Sequence, residues 1–142
     1  MLREEWEAQF ESLRKTRDTI ASWEPAEPDA TATRCEGSRH RTLAHLRACQ
    51  EQWALVVSEF LSREAPNVTV LHPWRKFDRE GYAGLPWEEH LAAFLIDRER
   101  WLEWESVDFS RGGKMNRKPE TVGSLTRRLA QHETYHVALI QK

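Results

Sequence analysis

Two histidines near the end of the sequence, His132 and His136, form the pattern with the clearest chemical meaning. They stand four residues apart in a segment whose apolar residues recur every three or four positions, which predicts an amphipathic helix. On one face of a helix their Cβ atoms would lie about 5–6 Å apart. At that spacing two imidazoles can bind one metal ion, at about 2.0–2.1 Å each for zinc. The alternative is a pair of core histidines that hydrogen-bond internally or face a wet groove.

A third histidine, His45, lies on or beside the apolar face of another predicted helix. It adjoins Leu46 and precedes Cys49 by one helical turn. Three histidines from two helices could bind a divalent ion and leave positions open for water or substrate. The other interpretation is a half-buried histidine at the edge of the apolar face. Cys49 could approach the metal, although a lone cysteine in this position is more often a small core residue.

The other candidate residues carry weaker signals. His40 is expected to cap a helix or be solvated, His72 falls in an irregular segment, and His90 lies between the polar and apolar faces of a helix. Glu133, next to a candidate ligand, should point about 100° away from it on a helix. The sequence has no glycine-rich phosphate loop and no Ser-His-Asp motif, so no catalytic side chain is assigned.

The elements that must position these residues are four predicted helices, at about residues 2–23, 39–63, 86–106 and 121–141. Pro86 suits the first turn of the third helix, and Thr121 suits the N-cap of the fourth. Four helices in a chain of 142 residues predict an all-α protein, a four-helix bundle that forms a single domain over residues 1–142.

Two connecting segments have no helical period. Residues 68–85 contain Pro73, Gly81 and Gly84 and are followed by Pro86, so they are expected to form a long ordered loop, a kind of segment that is often functional. Residues 110–120 are expected to form a basic loop. Its cationic side chains could attract an anionic substrate or could simply be solvated; they are Arg111, Lys114, Arg117 and Lys118.

Composition excludes several classes of protein. The net charge is −2, whereas a nucleic-acid-binding protein should carry a clear basic excess. No apolar run is long enough to span a membrane, and the N-terminus does not resemble a signal peptide. The two cysteines show no paired spacing. These features indicate a cytoplasmic protein with neither a nucleic-acid nor a membrane partner.

The order of these features resembles the DinB/YfiT-like superfamily of metal-binding four-helix bundles. Residues 42–46, Thr-Leu-Ala-His-Leu, resemble the segment of the family's first ligand, and residues 121–136 resemble its last helix with the closing His-x-x-x-His. The resemblance implies that His45, His132 and His136 hold one divalent metal ion, commonly nickel, zinc or iron. It also implies a homodimer and, in members of known activity, a low-molecular-weight thiol such as bacillithiol or mycothiol.

Two hypotheses about function follow. The first is a metal-dependent enzyme acting on a small molecule, either a thiol-dependent transferase with a metal-bound thiolate as nucleophile or a hydrolase that uses metal-bound water. The second is a stress-response module, or one that binds a small molecule or partner, whose metal is structural or absent. The seven tryptophans could form an apolar binding surface for it.

Overall fold

The computed structural model describes residues 1–35 and 37–140, and helices dominate it. Five α-helices, two short 3-10 helices and three short strands follow one another along the chain. In order they are α1 (Arg3–Ala21), α2 (Arg39–Ser62), β1 (Asn67–Val68), α3 (Pro73–Arg79), a 3-10 turn (Tyr82–Gly84), α4 (Trp87–Leu102), a second 3-10 turn (Glu103–Ser106), β2 (Gly112–Met115), β3 (Lys118–Thr121) and α5 (Val122–Ile140).

The four long helices pack side by side around the main core. Helix α2 packs against α4 and α5, and α1 packs against α5 and α4. Apolar side chains at helical spacing fill the space between them, including Trp6, Phe10, Phe60, Trp101 and Leu125. The prediction of an all-α fold is therefore confirmed in its coarse form, since the described chain is mostly helical with a small sheet added. None of the described helices combines the length and apolarity that crossing a bilayer requires.

The helix boundaries agree with the sequence pattern to within a few residues. Proline and serine set two of the starts: Pro86 is the N-cap of α4, and the Ser38 side chain accepts a hydrogen bond from the Arg41 backbone N–H at the start of α2. The third predicted helix extends to residue 106 only through the 3-10 turn that follows α4. The predicted end of the last helix at residue 141 lies outside the described residues.

The prediction of a long loop over residues 68–85 is wrong. The segment contains the end of β1, the seven-residue helix α3 and a 3-10 turn. Pro73 occupies the first turn of α3, and the His72 side chain accepts a hydrogen bond from the Trp74 backbone N–H, 3.2 Å away. This short helix packs against α2 through the buried Phe77. Two helical turns are too few to produce the apolar periodicity that identified the longer helices.

The prediction of a basic loop over residues 110–120 is also wrong, because β2 and β3 form an antiparallel hairpin there. Its two turn residues, Asn116 and Arg117, have φ angles of 50° and 72°, the left-handed values that a two-residue hairpin turn requires. Strand β1 pairs with β2 in parallel. Gly113 permits this pairing, since a Cβ atom there would lie 2.3 Å from the Pro66 carbonyl oxygen. The four basic side chains of the segment are exposed.

The start of α5 has a reciprocal cap. The Thr121 hydroxyl accepts from the Ser124 backbone N–H at 2.9 Å, and the Ser124 hydroxyl accepts from the Thr121 N–H at 2.8 Å. We expect Thr121→Ala to lower the free energy of unfolding by about 1 kcal/mol, because it leaves a backbone donor without its acceptor. Urea unfolding measures the effect, with Thr121→Ser as the control that keeps the hydroxyl. Equal losses in both variants would contradict a capping role.

A buried polar network connects all four long helices. The Arg98 guanidinium (α4) forms an ion pair with Glu133 (α5), and both side chains are fully buried. Arg98 also donates to Gln50 Oε1 (α2) at 2.8 Å and to the Leu13 carbonyl oxygen (α1) at 3.0 Å. Thr16 of α1 donates to the second Glu133 oxygen at 3.0 Å. Because these bonds are directional, they fix the rotation of α5 relative to its neighbours.

Candidate metal centre

Three histidine side chains converge where α5 faces α2. His45 comes from α2, and His132 and His136 come from successive turns of α5. The Nε2 atom of His132 lies 3.2 Å from Nε2 of His45 and 3.1 Å from Nε2 of His136. One nitrogen from each ring lies within 4.8 Å of the other two. The structure therefore brings together the three histidines that the sequence singled out, close enough to bind one metal ion.

The spacing of the nitrogens fits a first-row divalent ion. Two ligands at 2.0–2.1 Å in a tetrahedral arrangement stand about 3.3 Å apart, close to both short Nε2 separations here. His132 Nε2 carries a single proton at most to share between its two neighbours around one point, so hydrogen bonds alone cannot satisfy all three nitrogens. A cation at that point satisfies all three nitrogens at once.

Aromatic packing orients two of the imidazole rings. The His45 ring stacks on the Trp74 indole of α3, with ring centres 4.0 Å apart and planes 9° apart. The His132 ring packs against Trp53 in a T-shaped arrangement, with ring centres 5.9 Å apart. Within the described residues, His132 Nδ1 is buried and has no hydrogen-bond partner. The ring therefore lacks the second-shell acceptor that usually orients a ligating histidine, and side-chain packing takes over that role.

Cys49 lies beside His45 but outside the cluster. Its Sγ atom is 3.9 Å from His45 Nδ1 and 3.7 Å from His45 Nε2. Burial raises the pKa of the Cys49 thiol, and the negative charge of Glu133 raises it further, so the group is a neutral thiol near pH 7. Among the described residues, the set of mutually close ligand atoms comprises the three histidines without Cys49. Its position matches the core interpretation of the sequence.

Two of the clustered histidines, His45 and His132, are held in their neutral form. Burial, and then the neighbouring His132 and His136, lower the pKa of His45 to about 3. Burial, and then His136, lower the pKa of His132 to about 4. Away from the cluster, burial lowers the pKa of His90 to about 4. Neutral imidazoles keep their lone pairs at pH 7, which is the form that binds metal.

We expect the metal-free protein to lose stability as the pH falls from about 6.5 to about 4. In that window the unfolded chain takes up protons at these histidines, whose ordinary pKa is 6.5, while the folded chain does not. Urea unfolding at several pH values measures the loss, and NMR titration of the imidazole resonances locates it. Titration of all six histidines near pH 6.5 would contradict this assignment.

A large pocket opens onto the three histidines. Its volume is about 1010 Å³, the size of a small-molecule site. Trp53 and Trp74 form apolar walls, and Leu71 and Met115 come from the two segments that the sequence analysis treated as loops. Asn116 ties these segments together, because its side chain accepts from the Val70 backbone N–H at 3.0 Å. Within the described residues, the candidate ligand set thus consists of three histidines, and it faces a cavity.

His40 and His90 are buried structural residues, so the expectation that His40 caps a helix or is solvated is wrong. The ring N–H of His40 donates to the Leu85 carbonyl oxygen at 2.6 Å. His90 donates to the Tyr82 carbonyl oxygen at 2.9 Å and accepts from Arg47 at 3.1 Å. These bonds anchor the chain that follows α3, and so help to hold Trp74 in place.

His72 lines the pocket outside the cluster, with its side chain exposed. Sequence reasoning missed Trp74 and Arg41, which also line the pocket. The sequence could have indicated Arg41, because it precedes His45 by four residues and therefore lies on the same face of the helix, one turn away. Comparison of the chain with protein-family models, curated proteins and solved structures finds no match.

Proposed function

We propose that the chain is a DinB-like four-helix-bundle enzyme that uses one nickel, zinc or iron ion, held by His45, His132 and His136, to transfer a thiol to a small electrophile. The observation that carries the proposal is a cluster of three histidines at the wall of a ligand-sized pocket. Three protein ligands leave a coordination position for an exogenous group, as in catalytic rather than structural metal sites.

A thiol is a better candidate for the nucleophile than water. A divalent ion lowers the pKa of a thiol or a water molecule that binds it. A thiol, with an ordinary pKa of about 8.5, needs only a small decrease to ionise near pH 7, whereas water, with a pKa of about 15.7, needs a very large one. Hydrolysis would also benefit from a base directly beside a ligand, where the sequence places Glu133. Glu133 cannot serve, because it lies in the core, paired with Arg98. The chain's own contribution is to orient three imidazoles at a pocket that Trp53 and Trp74 line with apolar surface.

The proposed reaction joins the thiol sulfur to a carbon of the electrophile. The C–S bond forms, the bond to the leaving group breaks, and the thiol proton departs with that group. We expect cobalt-substituted protein to develop a sulfur-to-cobalt charge-transfer band when cysteine, bacillithiol or mycothiol is added, and to consume an alkyl halide only in the presence of a thiol. Absence of the band with every thiol, in protein that holds cobalt, would exclude a thiol as the exogenous ligand.

A binding module without turnover is the second candidate, favoured by the aromatic walls of the pocket. It predicts saturable binding of thiols or apolar molecules with no product after many hours. Product formation above the rate of the free metal ion would exclude it. The resemblance also predicts a homodimer, which light scattering on the purified protein measures directly.

A further inference from the structure

Arg41 stands at the wall of the pocket, one helical turn before His45 on α2. Its guanidinium carbon lies 4.9 Å from the ring centres of both Trp74 and Phe77 on α3. These two rings lie 5.0 Å apart, so they contact the guanidinium from the same side. Such cation–π contacts do not use the N–H groups, which remain available for hydrogen bonding.

The Arg41 guanidinium has a buried N–H group that lacks a hydrogen-bond acceptor among the described residues. Its Nε atom is buried and has no hydrogen-bond partner, and within the described parts of the chain no carboxylate lies at ion-pair distance from the guanidinium. Asp78, which lines the same pocket, forms no such pair. A buried N–H of a charged group without an acceptor is unfavourable, so this group could bind an anion that the described residues do not supply.

Arg41 and the three-histidine cluster lie on the same wall of the pocket. Residues four apart on a helix have Cβ atoms about 5–6 Å apart, so Arg41 and His45 face the cavity together. Trp74 lies between them: it stacks on the His45 ring at 4.0 Å and beneath the Arg41 guanidinium. A ligand that spans a few bonds can therefore reach both groups.

The other arginines at the pocket differ from Arg41. Arg34 and Arg128 are exposed, and Arg128 already pairs with Glu120 at 2.6 Å. The cations of the β2–β3 hairpin, which the sequence offered as an anion attractor, do not line the pocket. Among the described residues at this pocket, Arg41 is thus the arginine whose buried Nε atom has no hydrogen-bond partner.

We propose that the substrate carries a carboxylate, which Arg41 binds through its N–H edge while the reactive part of the molecule lies at the three histidines. This inference rests on the proposed function for the role of the histidines, whereas the anion site itself does not depend on the metal. A carboxylate is favoured because its two oxygens match the planar fork of a single guanidinium. A phosphate group with two negative charges usually gathers more than one cation.

A matched pair of ligands without a thiol tests the anion site. Calorimetry compares 3-phenylpropionate with 3-phenylpropan-1-ol, which differ in charge but little in size. We expect wild-type protein to bind the acid at least about tenfold more tightly than the alcohol, as a charge-assisted hydrogen bond implies. In Arg41→Met, which keeps the apolar stem on the two rings, this ratio should fall to within about twofold of unity.

Two control variants separate the possible causes. Arg128→Met removes the same charge from the rim of the pocket and should keep the preference for the acid. The His45/His132/His136 triple alanine variant removes the metal site and should also keep it, so loss of the metal and loss of the anion site give different results. Preference for the acid that survives Arg41→Met, or its absence from wild type, would overturn the proposal. Tighter binding of 2-phenylethyl phosphate than of the acid would overturn the assignment to carboxylate.

Discussion

Alanine in place of His132 is expected to weaken the binding of zinc, nickel or cobalt by more than about 100-fold, beyond the 10–100-fold cost of losing a second-shell partner. His132 is the central member of the cluster, since its Nε2 atom is the neighbour of both other ligand nitrogens, at 3.1 and 3.2 Å. Its loss leaves His45 and His136 without the third donor of the site. Competition with a chromophoric chelator measures the affinities.

Two variants control for indirect effects of that substitution. His72→Asn changes another histidine of the same pocket but keeps an acceptor for the Trp74 N–H, so metal affinity should stay within about threefold of wild type. Cys49→Ser tests the neighbouring thiol, which lies outside the cluster, and should also retain binding. Equal loss of affinity in His132→Ala and Cys49→Ser would show that the ligand set is different.

Glu133→Ala is expected to lower the free energy of unfolding by about 3–5 kcal/mol, a large share of the stability of a domain this size. The substitution leaves the Arg98 guanidinium in the core without its counter-ion, and desolvation of an unpaired charge is costly. Urea unfolding of the metal-free protein measures this loss. The effect is expected even though Glu133 does not belong to the candidate metal ligands.

A double variant distinguishes the unpaired charge from lost packing. Arg98→Met with Glu133→Leu removes both charges and should recover most of the stability, because a buried pair is often no better than apolar side chains of similar volume. Glu99→Ala breaks the exposed pair of Arg17 and Glu99 and should cost less than about 1 kcal/mol. A Glu133→Ala effect as small as that of Glu99→Ala would contradict a core in which the pair fixes helix register.

The long helices and the histidine cluster could be predicted from sequence because helical periodicity reports both. A repeat of three and four residues marks the helices, and the same repeat places His132 and His136 on one face. Helix α3 was missed because seven residues contain too little of that repeat. The β2–β3 hairpin was missed because its turn is Asn116-Arg117 rather than the usual Asn-Gly.

Other features of the site and the core depend on contacts between residues far apart in the sequence, which no local sequence pattern reveals. Trp74 stacks on His45 only because α3 folds back onto α2. Arg98 did give a signal, since it occupies an apolar position between Phe94 and Trp101 on α4. A charged residue in such a position indicates a buried partner, but the sequence could not identify Glu133, 35 residues away, as that partner.

Metal content is the most direct test of the central claim that three histidines hold one divalent ion. Elemental mass spectrometry on untagged protein should find close to one equivalent of metal in wild type, and almost none in the His45/His132/His136 triple alanine variant purified in parallel. Circular dichroism should confirm that the variant stays helical. If wild-type protein holds no metal even after incubation with nickel, zinc or iron, the cluster is not a metal centre and the account is wrong.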